Sequence, residues 1–283
     1  MGVVNVTTDS FYTGSRYPDV DAATSRALRL AEAGADILDI GGESTRPGAP
    51  PVSTQEELDR VLPVLENLRT QTDRMLSVDT RKAEVAEGAL ANGVDIVNDV
   101  TALGGDLRMA EVTANAGAGV VLMHMQGTPE MMQSEPRYDD VVAEVKASLS
   151  EAVARAERAG IASDAIVVDP GIGFGKTLSH NLTLLNELET LAELGKPILV
   201  GTSRKGFIGK LLSSEAEARI FGTAASVAAA ILRGASIVRV HDVSEMRDVA
   251  TVTDAIRNAT SASVNGGVNG GPHDGASPQG SLS

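Results

Sequence analysis

The sequence predicts an α/β fold, a (β/α)8 TIM barrel forming a single domain with a disordered C-terminal tail, and three observations carry that reading. Eight short apolar stretches recur along residues 1–240, each ending in a polar or glycine-rich loop. Helical spacing fills the intervals between them. The stretches are apolar nearly throughout, as expected of parallel strands buried on both faces. Eight strand–helix units over about 260 residues match an eight-stranded barrel in number and length. A doubly wound open sheet is the structural rival.

Taken in order, residues 1–6 (MGVVNV) read as the first strand. Residues 21–33 follow as a helix spaced through Ala23, Ala27, Leu28, Leu30 and Ala31, with Gly34 as its stop. Strand 37–40 ends in two glycines and the loop ESTRPG. Ser53 with Glu56 three residues on resembles a capping box opening a helix to about residue 68. Strand 75–79 then precedes helix 82–91, and strand 95–99 precedes helix 107–116. Strand 119–123 leads through a polar loop into a long helix, 138–159. Strand 165–169 runs into the loop DPGIGFGK and a helix over 179–191. Strand 197–201, a helical turn (GFIGKLL) and a helix over 215–232 come next. Strand 236–240 and a helix over 244–258 close the series. The domain is therefore expected over residues 1–259. Residues 260–283, dense in Gly, Ser and Asn, cannot bury enough surface to offset their ordering entropy and are expected to be a disordered tail or linker.

Composition narrows the function classes. A net charge of −14 and the lack of a basic stripe argue against nucleic-acid binding. No apolar run reaches membrane-spanning length and no charged-then-apolar leader opens the chain, so a soluble, cytoplasmic protein without a membrane partner is expected. With no cysteine, disulfides, thiolate metal sites and Cys nucleophiles are excluded.

In a barrel the carboxyl ends of all strands converge on one face. Those ends supply Asn5 with Asp9; Asp39 followed by Thr45 and Arg46; Asp79; Asn98 with Asp99; His124; Asp169; Ser203, Arg204 and Lys205; and Arg239, His241 and Asp242. Any one of them could be a helix cap, since Asp and Asn commonly cap. A complete ring of polar ends is what an active site would supply. Asp79, Asn98 and Asp169 suit a planar heterocycle with several N–H groups. Lys205, Arg239 and His241 suit phosphate oxygens. Asn5 and nearby acids could hold a hard cation such as Mg²⁺, which needs few protein ligands when phosphates and waters complete its shell. The loop DPGIGFGK is not a Walker sequence, because the required spacing is absent. Its Phe174 reads equally as a packing residue or as a wall of the site.

Eight stretches in one order, MGVVNVTTDSF, DIGGESTRPGA, SVDT, IVNDV, VLMHMQGTP, VDPGIGFGKT, LVGTSRK and VRVHDV, closely resemble the dihydropteroate synthase family and span nearly residues 1–257. The resemblance implies a sulfonamide-target enzyme of folate biosynthesis joining 6-hydroxymethyl-7,8-dihydropterin pyrophosphate to p-aminobenzoate, with Mg²⁺ as cofactor. By position, Asp79, Asn98, Asp169 and Lys205 would hold the pterin, and Lys205, Asp79 and Asp169 would be the catalytic set. Arg239 and His241 would hold pyrophosphate with the metal, whose direct ligand would be Asn5. Thr45, Arg46, Pro47 and Phe11, against Phe174 and Lys205, would form the p-aminobenzoate site. A homodimer through the late helices is implied as well.

Two other readings share the barrel. A methyltetrahydrofolate-binding module of methyltransferase type would not need STRPGA, SRK and RVH together, and a catalytically weak pterin-binding paralogue would be separated by kinetics. Departures from the family pattern cluster in the first loop, NVTTDSFYTGS where members read NVTPDSFSDGG. Thr8 replaces a proline, and Tyr12-Thr13 replaces Ser-Asp and removes a carboxylate. Gly206 follows Lys205 where many members carry Ser, leaving backbone N–H groups for a carboxylate. Members also carry an extension ahead of the first barrel strand, where this sequence begins.

Only six of the 24 basic residues are lysines, and an acid-rich, lysine-poor surface suits high salt, where screening weakens self-repulsion. The denaturation midpoint is therefore expected to rise between low and high KCl. Equal stability in both would sink this reading.

Overall fold

The computed structural model of the chain describes residues 1–6, 20–44, 51–128, 131–132 and 135–259. Its strands are β1 (Gly2–Asn5), β2 (Ile37–Gly41), β3 (Met75–Asp79), β4 (Ile96–Asp99), β5 (Gly119–Met123), β6 (Ile166–Asp169), β7 (Leu199–Val200) and β8 (Ile237–Val238). Between and after them run α1 (Val20–Glu32), α2 (Thr54–Arg69), α3 (Ala83–Ala91), α4 (Met109–Asn115), α5 (Val141–Arg158), α6 (Leu178–Asn186), α7 (Gly206–Leu212), α8 (Ile220–Leu232) and α9 (Val243–Asn258).

β1 to β6 form one parallel sheet in sequence order, and β7 pairs with β8. Single parallel bridges, Val168 to Ile198 and Gly2 to Val240, join the two sheets into a ring. At the second junction Val3 N–H donates to Val240 O (3.0 Å) and Val240 N–H to Met1 O (2.9 Å). The expected eight-stranded barrel is therefore present. β7 and β8 are shorter than the five residues expected of each, because the regular ladder stops where the chain carries Ser203, Lys205, Arg239 and His241 to the mouth.

Alternation along each strand separates two cores. Leu38, Ile40, Leu76, Val78, Val97, Val120 and Leu122 join the layer between barrel and helices, packed with Val61, Leu65, Leu68, Val145 and Leu149. A fully buried leucine of this kind contributes roughly 1.5–3 kcal/mol. The opposite strand face gives Ile37, Ile96, Val121 and Leu199, with Met1, Val167 and Ile237 against them. These fill one end of the barrel interior. Further along the same inward faces the residues turn polar, as Asp39, Ser77, Asn98 and Asp169, all buried. An apolar floor thus carries a polar layer open only at the carboxyl ends of the strands.

Helix boundaries follow local chemistry. Ser53 Oγ accepts from Glu56 N–H as expected, but Glu56 turns its carboxylate to Arg60, so only half of the capping box forms. α5 begins at Val141 because Asp140 caps it through Val142 and Ala143 N–H; Tyr138, expected inside the helix, instead donates to Gly175 O. α6 stops at Asn186 and yields to a 3-10 segment, Leu188–Leu194, that ends on Gly195 at φ +65°. The helix expected over 215–232 likewise divides into a 3-10 turn, Ala216–Ala218, and α8. The expected tail, residues 260–283, lies outside the described residues.

Candidate active site

A cleft opens at the carboxyl ends of the strands, lined by Asp79, Asn98, Asp169, Phe174, Lys205, Arg239 and His241 among others. Together with Ser203, which also lines it, eight residues singled out from strand ends and the glycine-rich loop thus meet in one place. Asn5 ends β1, in register with Gly41, which pairs in turn with Asp79. Thr45, Arg46, Pro47 and Phe11, with Asp9 and the altered first-loop positions, lie outside the described residues.

The electrostatic centre is Arg239. Its Nε donates to Asp39 Oδ2 (2.6 Å) and an Nη to Asp79 Oδ2 (2.7 Å). Burial disfavours its charge, but the carboxylates of Asp39 and Asp79 hold the proton more tightly than in free arginine. One guanidinium thus serves two buried carboxyl groups. Burial pushes Asp79 up to about 7; Arg239 pulls against this, and repulsion from Asp39, Glu57 and Asp99 adds to it. Asp39 Oδ1 and Asp79 Oδ1 have no partner among the described residues. Asn98 donates Nδ2–H to Asp39 Oδ2 (3.1 Å). A carboxylate only accepts, so the Asn98 amide is oriented with its oxygen available to a donor.

Opposite lies the loop after β6. Gly171 N–H donates to Asp169 Oδ1 (2.7 Å), and burial raises the Asp169 carboxyl against that bond and the pull of Lys205. Gly171 has φ +67°, and a Cβ there would lie 1.9 Å from His124 O, so the loop reaches this position only as glycine. Lys205 Nζ stands 4.1 Å from the centroid of the Phe174 ring, a cation–π contact. Burial, with repulsion from Arg239, brings Lys205 down to about 8, while Asp169 and Asp79 oppose the shift. Phe174 is thus a wall of the cleft.

Several strand-end residues have other duties. Asp99 accepts from Thr101 N–H and Oγ and from Leu103 N–H, fixing the turn that follows β4. Asp242 pairs with Arg204 through Nε (3.0 Å) and Nη (2.5 Å). His124 packs behind the cleft, its Nδ1 3.0 Å from Lys176 Nζ, and Lys176 also donates to Phe174 O (2.9 Å). Burial and the charge of Lys176 push His124 down to about 3. Sequence reasoning did not single out Lys176. Nor did it give Asp39 its place inside the barrel, although the inward series Ile37, Asp39, Gly41 contains the signal.

Acceptors and cations lining one cleft suit an uncharged heterocycle carrying a polyanion. Ser203 and His241 form the single Ser–His pair in the cleft among the described residues. Ser203 Oγ accepts His241 N–H (3.1 Å) while contacting Nδ1 (3.0 Å), which leaves it unlike an exposed nucleophile.

A sequence profile described as Pterin binding enzyme matches residues 1–241. Dihydropteroate synthase of Escherichia coli strain K12 is 45% identical over 259 residues, 92% of this chain and 92% of that protein. A Yersinia pestis dihydropteroate synthase solved in a sulfonamide drug complex superposes with TM-score 0.87 at 44% identity, covering 91% of this chain and 94% of that one. The Xanthomonas albilineans enzyme in complex with 7,8-dihydropteroate gives TM-score 0.83 at 46% identity, covering 92% and 93%.

Because its folded pKa stands above the usual 3.8, Asp79 contributes stability that is complete below pH 3.8 and lost as pH rises through about 7. Asp79→Asn keeps an acceptor for Arg239 without the charge. The melting temperature of the variant relative to the parent is expected to be roughly 2–4 °C higher at pH 8 than at pH 5, for each ~1 kcal/mol of relief. The same difference at both pH values would refute the shift.

Proposed function

The chain belongs to the pterin-binding enzyme family and is a dihydropteroate synthase of folate biosynthesis, and from that premise we propose how its residues divide the work. The enzyme condenses 6-hydroxymethyl-7,8-dihydropterin pyrophosphate with p-aminobenzoate to give 7,8-dihydropteroate and pyrophosphate. The observation that supports the assignment is that the acceptors Asp79, Asn98 and Asp169 and the cations Lys205 and Arg239 line one cleft.

Asp79, Asn98 and Asp169 accept N–H groups of the pterin edge, and Lys205 completes its contacts. The unpartnered Oδ1 of Asp79 is an acceptor that a ligand N–H would satisfy. Arg239 spends two N–H groups on carboxylates and keeps the others for pyrophosphate oxygens, beside His241. p-Aminobenzoate packs against Phe174 and Lys205, and the family resemblance assigns Thr45, Arg46, Pro47 and Phe11 to the same ligand.

Among the described residues no three His, Cys, Asp or Glu side chains gather into a metal-holding group. Asn5, at the end of β1, would be the protein ligand of Mg²⁺ taken up with the substrate's phosphates and waters, since that ion needs few protein ligands there. Bound there, the ion supplies charge neutralisation to the departing pyrophosphate.

The reaction needs no enzyme nucleophile. The bond between the exocyclic methylene and the pyrophosphate oxygen breaks, and its electron pair leaves with the pyrophosphate. Arg239 and His241 stabilise that negative charge. The electron-rich pterin, oriented by Asp79 and Asp169, stabilises the positive charge left on the methylene. The aniline nitrogen then forms the C–N bond and releases its proton. Catalysis is by positioning and electrostatics.

Two copies associate in a homodimer through α6, α7 and α8. α8 is apolar along nearly its whole length and leaves Phe221 84% exposed, with Leu182, Leu211, Leu212 and Leu232 exposed nearby. Gly222, Ala225 and Ala229 line the groove beside them, small enough for close helix approach. An apolar face of this kind pairs with its own copy across a two-fold axis. Among the described residues no helix is long and apolar enough to cross a membrane. The cysteine-free sequence suits a reducing, cytoplasmic setting.

Purified protein with dihydropterin pyrophosphate and Mg²⁺ is expected to release pyrophosphate only when p-aminobenzoate is present. Lys205→Ala or Asp79→Ala should lower kcat/KM by about 100-fold or more. Pterin binding without turnover would instead favour the catalytically weak paralogue. In sedimentation equilibrium the parent should run as a dimer and Phe221→Asp as a monomer; a monomeric parent at tens of micromolar, roughly the range of a weak interface, would overturn the dimer.

A further inference from the structure

We propose that Ser203 is a positioning residue that locks the His241 imidazole as its neutral Nε2–H tautomer, so the ring offers a fixed, uncharged donor to a pyrophosphate oxygen; this rests on the pyrophosphate role given to His241 above. Ser203 Oγ lies 3.1 Å from the backbone nitrogen of His241 and 3.0 Å from its Nδ1. The backbone N–H can only donate, so Oγ accepts there. The hydroxyl has one hydrogen to place, and Nδ1 is the one further partner recorded for it among the described residues.

If Nδ1 carried the proton, Oγ would receive two N–H bonds and its own hydrogen would have no acceptor among the described residues, on a residue that is 6% exposed. Leaving a buried donor unmatched costs about 1–3 kcal/mol. If Oγ–H donates to Nδ1, every group is satisfied and the ring's remaining proton sits on Nε2. Both residues line the cleft at the ends of neighbouring strands, β7 and β8.

The surroundings favour a neutral ring. Burial first, then Arg239, Arg204 and Arg26, outweigh the carboxylate of Asp242 and bring His241 down to about 4. Lys205 and Arg239 already bring positive charge to the cleft. A neutral Nε2–H adds direction for the leaving group without crowding in another cation, and Ser203 supplies that direction by fixing which nitrogen carries the hydrogen.

The test begins with ligand-free protein labelled with ¹⁵N-histidine at pH 7.5. The four histidines of the chain are assigned for this purpose by the signals lost in His241→Gln. Nδ1 of His241 is expected in the unprotonated, pyridine-like range with Nε2 protonated; a protonated Nδ1 overturns the proposal. Ser203→Ala should release the ring into a mixture of tautomers and weaken Mg²⁺-pyrophosphate binding roughly five- to tenfold, the worth of one hydrogen bond. Binding of a pterin without phosphates should be unchanged. Ser203→Thr should restore the single tautomer, and melting curves identify a variant that fails to fold, in which case the parent spectrum and the threonine variant decide. An alanine variant that keeps both tautomer and affinity sinks the idea. Loss of synthase turnover with the tautomer intact would count against the catalytic reading alone.

Discussion

One guanidinium shared by two buried carboxylates is the constraint on which the rest of the site depends. Arg239 reaches Asp39 across 200 positions of sequence and Asp79 across 160, tying β8 to β2 and β3 through the barrel interior. Asn98 extends the tie to β4. Such a cluster is weak evidence for stability, since desolvating three charges costs as much as their attraction returns. Its value is geometric. It holds the polar layer at one height above the apolar floor and fixes the orientation of Asn98, while leaving an acceptor of Asp79 open.

The barrel was legible because strand interiors in this fold carry so few polar residues that each polar one stands out. Eight apolar stretches and the intervals between them gave the element order directly, with boundary errors where a cap or a 3-10 segment intervened, as at Asp140 and after Asn186. Strand ends as a group located the cleft, and the resemblance sorted them into roles. What composition and spacing could not do was separate a ligand-facing carboxylate from one that ties its own loop. Asp99 and Asp169 look alike as strand-terminal residues. Both accept backbone N–H groups, yet Asp99 has both oxygens committed to Thr101 and Leu103, while Asp169 gives one to Gly171 and lines the cleft. Only the path of the following loop decides.

Support for the site extends behind the residues that line it. Lys82 Nζ contacts Glu43 (2.6 Å), Val52 O (2.8 Å) and Glu57 (2.5 Å), so one ammonium joins the chain on either side of residues 45–50. Lys176 does similar work behind Phe174, joining its carbonyl to His124. Burial, with repulsion from Lys205, brings Lys176 down to about 7 against the pull of Asp169, so its bonds to neutral acceptors suit it in either protonation state.

The ring's construction from a six-stranded sheet and a two-stranded one divides the site along a seam. Asp39, Asp79, Asn98 and Asp169 all stand on the larger sheet, whereas Ser203, Lys205, Arg239 and His241 all belong to the β7–β8 stave. Each junction between them rests on a single bridge with a few backbone bonds. A local opening there would break both Arg239 ion pairs and part Lys205, Arg239 and His241 from Asp79, Asn98 and Asp169, while leaving most of the hydrophobic layer packed. Competence to bind the whole substrate is therefore a report on barrel closure, and it would be lost at a lower free energy than the fold itself.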